Sequence, residues 1–481
     1  MSNRPETNKQ SCPVYKKCGG CQLQNLSYPE QLEFKQRKVE KLLKRFCTVE
    51  KIIGMKTPYH YRNKVQAAFY TDKKGKIISG VYQSGSHHVV GIDSCQTEDV
   101  IADKIIVAVR KLLPSFRMTT YNEDTGKGFL RHILVKRGFA TNQIMLVLVT
   151  GTPVFPSKNN FVKAILKQFP EITTIVQNIN PYRTNLVLGD NQKVLYGKGY
   201  IEDILCGCRF RISPKSFYQI NPVQTEVLYG KAIEFANLKG NETVLDTYCG
   251  IGTIGIIAAK NGAGNVIGAE LNGDAVRDAI VNARANNLKN IRFYKADAGD
   301  FMREVADEDE KPDVVFMDPP RAGSDRKFLD SLIKMSPKKV VYVSCNPETL
   351  ARDLAYLTQN SPYKAQKIQP VDMFPHTAHI ETVVLLSKLK VDHHIEIELK
   401  MDELDLTAAE SKATYDEIKA YVLNKYGLKV SQLYIAQIKR KCGIIERKNY
   451  NVSKKEDAKV PQCPPEKEAA IMDALKHFQM I

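Results

Sequence analysis

Two residues far apart in the chain have the types needed to attack a carbon centre and to take a proton from its neighbour. Cys345 follows an apolar run, Lys339 to Ser344, and precedes Asn346-Pro347 and a helical pattern from Glu348 to Leu357. The pattern predicts a strand that ends at the thiol and a helix that starts beside it. The positive end of that helix would lower the thiol pKa and enrich the thiolate, the attacking form. Glu381 stands in His379-Ile-Glu-Thr-Val-Val-Leu-Leu386, at the head of a final apolar run. Paired with the thiol, its carboxylate is a candidate base. Together they predict covalent catalysis, in which a thiolate adds, a neighbouring carbon becomes nucleophilic, and a base later allows the thiolate to leave.

Such residues need a frame. From 236 to 389, short apolar strands alternate with helical patterns, the signature of a parallel α/β sheet. Thr243 to Tyr248 reads as a buried strand that opens into Cys249-Gly-Ile-Gly-Thr-Ile-Gly255, with an apolar helix to Lys260. Gly250 and Gly252 let backbone approach a ligand with no Cβ in the way. A second strand, Asn265 to Ala269, ends in Glu270, placed to bond ribose hydroxyls. A third, Ile291 to Ala296, ends at Asp297, within reach of an adenine edge, and a fourth, Asp313 to Met317, ends in Asp318-Pro-Pro-Arg321. All lie at the carboxyl ends of strands, where open α/β sheets bind ligands. The loop is Asp-x-x-x-Gly-x-Gly, not Gly-x-Gly-x-x-Gly. With an acidic residue ending the fourth strand, this points to S-adenosylmethionine rather than NAD. A thiolate beside a methyl donor suits carbon 5 of uracil, which gains nucleophilicity once a thiolate adds at carbon 6.

Cys249-Gly-Ile-Gly, Asp318-Pro-Pro-Arg-Ala-Gly, Val343-Ser-Cys-Asn-Pro-x-Thr-Leu-Ala-Arg-Asp353 and His379-Ile-Glu-Thr-Val strongly resemble the RNA 5-methyluridine methyltransferases of the RumA and TrmA type, over residues 11–388. The resemblance implies Cys345 as nucleophile, Glu381 as the base that removes the carbon 5 proton, and donor binding by Gln219, Tyr248, Glu270 and Asp318. Gln219 lies in Ser213-Pro-x-Ser-Phe-Tyr-Gln-Ile-Asn-Pro222. Asp297 stands where relatives can carry Asn. Asp318 and Arg321 are candidates to hold the uracil, which must be unpaired or flipped out to admit both thiolate and sulfonium.

Cys12-x5-Cys18-Gly-Gly-Cys21 places three thiols within ten residues, and Cys95 is a possible fourth. From spacing alone, zinc and an iron–sulfur cluster are comparable readings. The resemblance implies a [4Fe–4S] cluster on Cys12, Cys18, Cys21 and Cys95, with a structural role near the RNA. Cys206-Gly-Cys208 reads as an ordinary strand pair.

The chain has 70 Lys+Arg against 53 Asp+Glu, a net +17 that suits a polyanionic partner. The tail from Lys390 holds 16 basic and 15 acidic residues, so the excess lies before it. No secretory signal or membrane span is visible, and cytoplasmic location is the expectation. The expected fold class is α/β, in three domains. Residues 1–235 form an α+β RNA-binding domain with the iron–sulfur motif, 236–389 a Rossmann-like class I methyltransferase domain, and 390–481 a helical C-terminal extension. Asn451 to Pro465 reads as a linker. Tyr59-His-Tyr-Arg-Asn-Lys64 and Leu130-Arg-His132 are candidate RNA contacts. The favoured substrate is 23S rRNA, with tRNA possible and a monomer as the default state. Two alternatives stay open: an RNA cytosine-5 methyltransferase, and a non-catalytic iron–sulfur RNA-binding protein. The C-x5-C-x2-C spacing disfavours a radical S-adenosylmethionine enzyme.

Overall fold

Ile144–Thr150 is apolar at every position but the last, which requires cover on both faces of its sheet. The computed structural model supplies that cover. It describes residues 12–83, 86, 88–184, 186–307, 311–388, 415–442, 463–478 and 480. Seven strands form the first sheet: β1 (Lys64–Thr71), β2 (Ile77–Tyr82), β3 (Val89–Gly91), β4 (Leu130–Arg137), β5 (Ile144–Thr150), β6 (Ile172–Ile179) and β7 (Asn191–Tyr196), in the order β3-β2-β1-β4-β5-β6-β7. Successive side chains of β5 go to opposite faces. Ile144, Leu146 and Leu148 meet Ile105, Val109, Phe161 and Ile165 from two helices, Val100–Leu112 and Lys158–Gln168. Met145, Val147 and Val149 enter the core that continues into the second sheet.

A hairpin, β8 (Ile201–Leu205) and β9 (Cys208–Ile212), leads to that sheet, with Cys206 in its turn. The second sheet contains β10 (Thr243–Thr247), β11 (Asn265–Glu270), β12 (Ile291–Lys295), β13 (Val314–Met317), β14 (Lys339–Ser344), β15 (Tyr363–Val371) and β16 (Glu381–Lys388). Its order is β12-β11-β10-β13-β14-β16-β15, parallel as far as β14 and antiparallel for the last two pairings. β10 has β11 on one side and β13 on the other, so the winding direction reverses there. A crevice opens at the carboxyl ends of strands at such a reversal.

The apolar contacts do not divide at residue 235. Helix Tyr28–Leu43, begun by a Ser27/Glu30 capping box, buries Val39 and Leu43 against Tyr342, Leu354 and Ile368 of the second sheet's layer. Lys35 inside this helix pairs with Asp372 at 2.5 Å and donates to the Phe374 carbonyl at 3.0 Å, all out of solvent. Helix Pro222–Ala236 packs Leu228, Ala232 and Phe235 on the other side, against Val341, Val343 and Val383. Local composition cannot reveal these assignments, because the partners are more than a hundred residues away in the chain.

Contacts separate the chain into Met1–Val391 and Asp392–Ile481. In the second unit, helices Tyr415–Tyr426, Gln432–Lys441 and Pro465–His477 enclose Ile418, Val422, Ile435, Ile438, Ile471 and Leu475. Gly427, at φ +68°, ends the first of them. Of the cations at the end of the second, Lys439 is buried over the Tyr415 ring and Lys441 pairs with Glu468. Residues 451–462 of the expected linker lie outside the described residues. Among the described residues, no helix is long and apolar enough to cross a membrane.

Candidate active site

At the winding reversal lies a cavity of about 560 Å³ lined by, among others, Gln219, Tyr248, Gly250, Glu270, Asp318, Cys345 and Glu381. These residues come from six separate stretches of sequence. Two of the expected site residues do not line it. Gly252 instead makes room for packing: a Cβ there would stand 2.7 Å from the Phe293 ring. The Asp297 carboxylate accepts from the Gly299 and Asp300 amides at 2.9 and 3.2 Å, at the start of helix Ala298–Asp307.

The last register pair of β14 and β16 is Ser344 with Thr382. One antiparallel step further puts Cys345 opposite Glu381, so strand pairing itself places the two side by side. The environment reverses the expected effect on the thiol. Burial pushes Cys345 up to about 11, the carboxyls of Glu381 and Asp318 push the same way, and Arg321 opposes them. Helix Pro347–Asn360 does begin beside the thiol, yet burial and two acidic neighbours raise its pKa. Glu381 is itself buried, and its pKa is raised well above the usual carboxylate range by that burial and then by Asp318. Asp318 is raised by burial as well.

The polar residues after Cys345 hold the loop that follows Asp318. Asn346 caps the helix through Oδ1 on the Glu348 amide and donates from Nδ2 to the Arg321 carbonyl at 3.1 Å. Arg352 donates to the carbonyls of Ala322 and Ser324 at 2.9 and 3.0 Å. The Asp353 carboxylate receives the Ser324 amide at 2.9 Å and the Tyr342 hydroxyl at 2.7 Å. The Ser-Cys-Asn-Pro and Asp-Pro-Pro-Arg segments are therefore one physical assembly.

On the other side of the cavity, Glu270 accepts from the amides of Gly250 (3.0 Å) and Asn272 (2.8 Å). Tyr248 adopts φ +63°, a left-handed conformation unusual for a residue with a side chain. A Cβ on Gly250 would meet open space, so the loop leaves backbone exposed at the cavity. Gln219 is placed by Asn63, which donates to its carbonyl at 3.1 Å. Tyr229 escaped the sequence reasoning. Burial raises the pKa of its phenol, Asp318 and Glu381 add to this, and Thr253 and Gln219 oppose it. Tyr229 sits on an otherwise apolar helix face, which carries no local signal. Phe217, Phe374 and His379 also line the cavity.

Cys12, Cys18, Cys21 and Cys95 are all half-buried. Burial pushes Cys21 up to about 12; Cys95 adds most among the thiols, then Cys18 and Cys12, while Arg62 opposes. The four are thus within electrostatic reach of one another. They are not drawn together as a ligand set: among the described residues, no group of three or more His, Cys, Asp or Glu side chains is arranged to hold a metal ion.

The expected RNA contacts are mostly engaged within the protein. Arg131, 2% exposed, forms a two-pronged pair with Glu123, and His132 is buried beside it. Tyr61 is buried with its hydroxyl on the Pro375 carbonyl, and Asn63 is buried on Gln219. Within these stretches, His60 remains exposed. β4 is buried at all but its last position, with Ile133 and Val135 in one core cluster and Leu134 in the other, so Arg131 and His132 lie between covered layers.

Residues 183–389 match the family described as tRNA (Uracil-5-)-methyltransferase. An uncharacterized RNA methyltransferase of Bacillus cereus is 44% identical over 391 residues, covering 80% of this chain and 84% of that protein. One of Listeria monocytogenes is 46% identical over 379 residues, covering 78% and 83%. Among solved structures, the Pyrococcus abyssi tRNA (uracil-54, C5)-methyltransferase in complex with S-adenosyl-L-homocysteine superposes with a TM-score of 0.65. It is 31% identical and covers 79% of this chain and 87% of that one.

Proposed function

The chain belongs to the tRNA (uracil-5-)-methyltransferase family of S-adenosylmethionine-dependent RNA methyltransferases, and from that premise we propose that Cys345 and Glu381 carry out the reaction. The Cys345 thiolate adds to carbon 6 of a uracil turned into the cavity, and carbon 5 of the resulting enolate attacks the sulfonium methyl. S-adenosylhomocysteine is released from the bond that breaks. Glu381 then takes the carbon 5 proton, the enolate re-forms, and the thiolate is expelled. Glu270 and Tyr248 hold the donor, and Gln219 and Asp318 help position donor and base. The observation that carries this reading is the juxtaposition of Cys345 with Glu381 beside Asp318 in one cavity. A sulfonium there adds positive charge among groups whose neutral forms are favoured. Opposite charge shifts thiol and carboxyls towards ionisation, so the donor prepares its own nucleophile.

Four thiols suit an iron–sulfur cluster chemically, since soft ligands select such centres. Cys12, Cys18, Cys21 and Cys95 would hold it after closing in from their present spacing, and its role is to shape the N-terminal segment rather than to transfer electrons. The substrate we favour is 23S rRNA, on the resemblance of the cysteine set to cluster-bearing relatives; tRNA is the second choice.

RNA transcribed with 5-fluorouridine tests the proposal, because fluorine cannot leave as a proton. Incubation with S-adenosylmethionine is expected to give a covalent complex on a denaturing gel, absent in Cys345→Ala. Ribosomal and transfer RNA fragments run in parallel identify the substrate. A band retained by Cys345→Ala, or no band with either RNA, refutes the assignment.

A further inference from the structure

The cavity has room for a target base and donor, so the nucleotides on either side of that base must be held elsewhere on the surface. The described residues of the loop between β6 and β7, 180–184 and 186–190, have the construction of such a holding surface. Its backbone polar groups are taken up from beneath. Buried Arg131 donates to the carbonyls of Asn180 (2.8 Å) and Tyr182 (2.7 Å), while Glu123 neutralises its charge. The buried Asn180 amide donates to the Leu186 carbonyl at 2.7 Å and the Val187 carbonyl at 3.2 Å. The side chains are left facing outward: Tyr182 is 68% and Leu186 71% exposed. Between them in sequence, exposed Arg183 donates to the Asp124 carbonyl at 2.7 Å. Exposed Lys127 lies in the same turn as Asp124.

A large exposed aromatic ring on a loop pinned by buried hydrogen bonds costs solvation and has no use in the core. Beside cations, in the part of the chain before Lys390 that carries the positive excess, it has the composition of a base-stacking platform. The loop and the cavity lining share one core cluster. Val187 and Leu188, at its far end, pack on the cluster containing Leu205, Tyr218, Ile251 and Ile254, all four of which line the cavity.

We propose that Tyr182, Arg183 and Leu186 form a platform for an unpaired RNA strand next to the target uridine. Tyr182 stacks on a base, Arg183 contacts a phosphate, and buried Arg131 positions the loop from one layer below. This rests on the methyltransfer reading above and adds to it a surface outside the cavity.

The test uses the full-length protein and a fluorescein-labelled single-stranded oligouridylate, read by anisotropy. Tyr182→Ala is expected to weaken binding about tenfold, and Tyr182→Phe, which keeps the ring, to bind within about twofold of wild type. Arg183→Ala should lower the salt dependence of binding by about one released counterion. Affinity for S-adenosylhomocysteine, measured by calorimetry, should be the same in all three, which separates a lost RNA contact from a misfolded protein. Arg131→Met with Glu123→Leu removes the support without stranding a charge, and should weaken RNA binding as Tyr182→Ala does. Wild-type affinity in Tyr182→Ala, or equal losses in the Ala and Phe variants, overturns the platform and leaves the surface to a protein partner. Trapping of 5-fluorouridine RNA at Cys345 is followed in parallel. If wild type traps RNA while Tyr182→Ala binds it normally, the platform alone is wrong. If wild type neither binds nor traps RNA, both readings fall.

Discussion

Gly323 is packed against Asp353: a Cβ on the glycine would stand 2.6 Å from the Asp353 carboxylate and equally close to the Arg352 guanidinium, and its φ of +76° already disfavours a side chain. The close approach lets Arg352 and Asp353 reach the loop behind Asp318. Gly323→Ala should therefore displace that loop and cost about 1–3 kcal/mol. A lowered Tm with a fall in both kcat and donor affinity is expected, because the Tyr248 hydroxyl meets the Ser324 hydroxyl of this loop at 3.5 Å. Unchanged Tm and kcat would mean the assembly tolerates what its geometry forbids.

Glu381→Gln removes the base but leaves the nucleophile. Methyl transfer can then proceed to the carbon 5-methylated adduct and stop. The variant should accumulate a covalent protein–RNA complex on ordinary uridine RNA, dependent on S-adenosylmethionine, with turnover reduced by about 10²–10⁴. A variant that turns over without accumulating adduct would assign proton removal to another group.

The pH profile should be one-sided. Glu381 acts ionised, and burial with Asp318 raises its pKa, so its proton leaves only above the ordinary carboxylate range. Cys345, held up at about 11, must also lose a proton. Both requirements make kcat/KM, which reports free enzyme, rise with pH. Asp318→Asn deletes a negative charge that raises both groups, so the ascending limb should move to lower pH even as the rate falls. A limb that stays in place would show that Asp318 does not govern these ionisations.

Lys35 and Asp372 test how the N-terminal helix is attached. Lys35→Met strands a buried carboxylate that also holds the Tyr28 hydroxyl at 2.9 Å, and should cost about 3–5 kcal/mol in denaturant unfolding. The Lys35→Met/Asp372→Leu double variant should recover much of this loss. Additive losses would place the two groups in separate environments.

Cys18→Ser addresses the cluster. Anaerobically purified wild type is expected to contain iron and sulfide, and the variant to lose both along with part of its RNA affinity. Wild-type protein free of iron, or a variant with full RNA affinity, would remove the cluster from the reading of the N-terminal segment.

Much of the cavity lining was legible in sequence. Apolar runs of β10, β11, β13 and β14 end abruptly in Gly, Glu, Asp-Pro-Pro and Ser-Cys, and a parallel sheet brings such ends to one edge. The ionisation of Cys345 was not legible. A helix start is visible locally, but the two carboxyls that oppose it come from 318 and 381. Arg131 and His132 misled for a related reason: a cationic pair reads as surface, and only the core clusters on the two sides of β4 show that both faces are covered. Tyr229 had no local mark at all.

β16 is synthesised after every other described strand, yet it sits inside the sheet, between β14 and β15. A nascent chain that has reached residue 371 carries Gln219, Tyr248, Glu270 and Asp318, but β15 lacks its sheet partner, with only bridges to Val49 and Ile53, and Cys345 has no carboxylate from Glu381. The end of the domain must then insert between strands already made, a non-local closure that delays folding until synthesis has passed it. Cys345 and Glu381 are thus united only once β16 has been made, and a chain truncated before Glu381 should methylate no RNA.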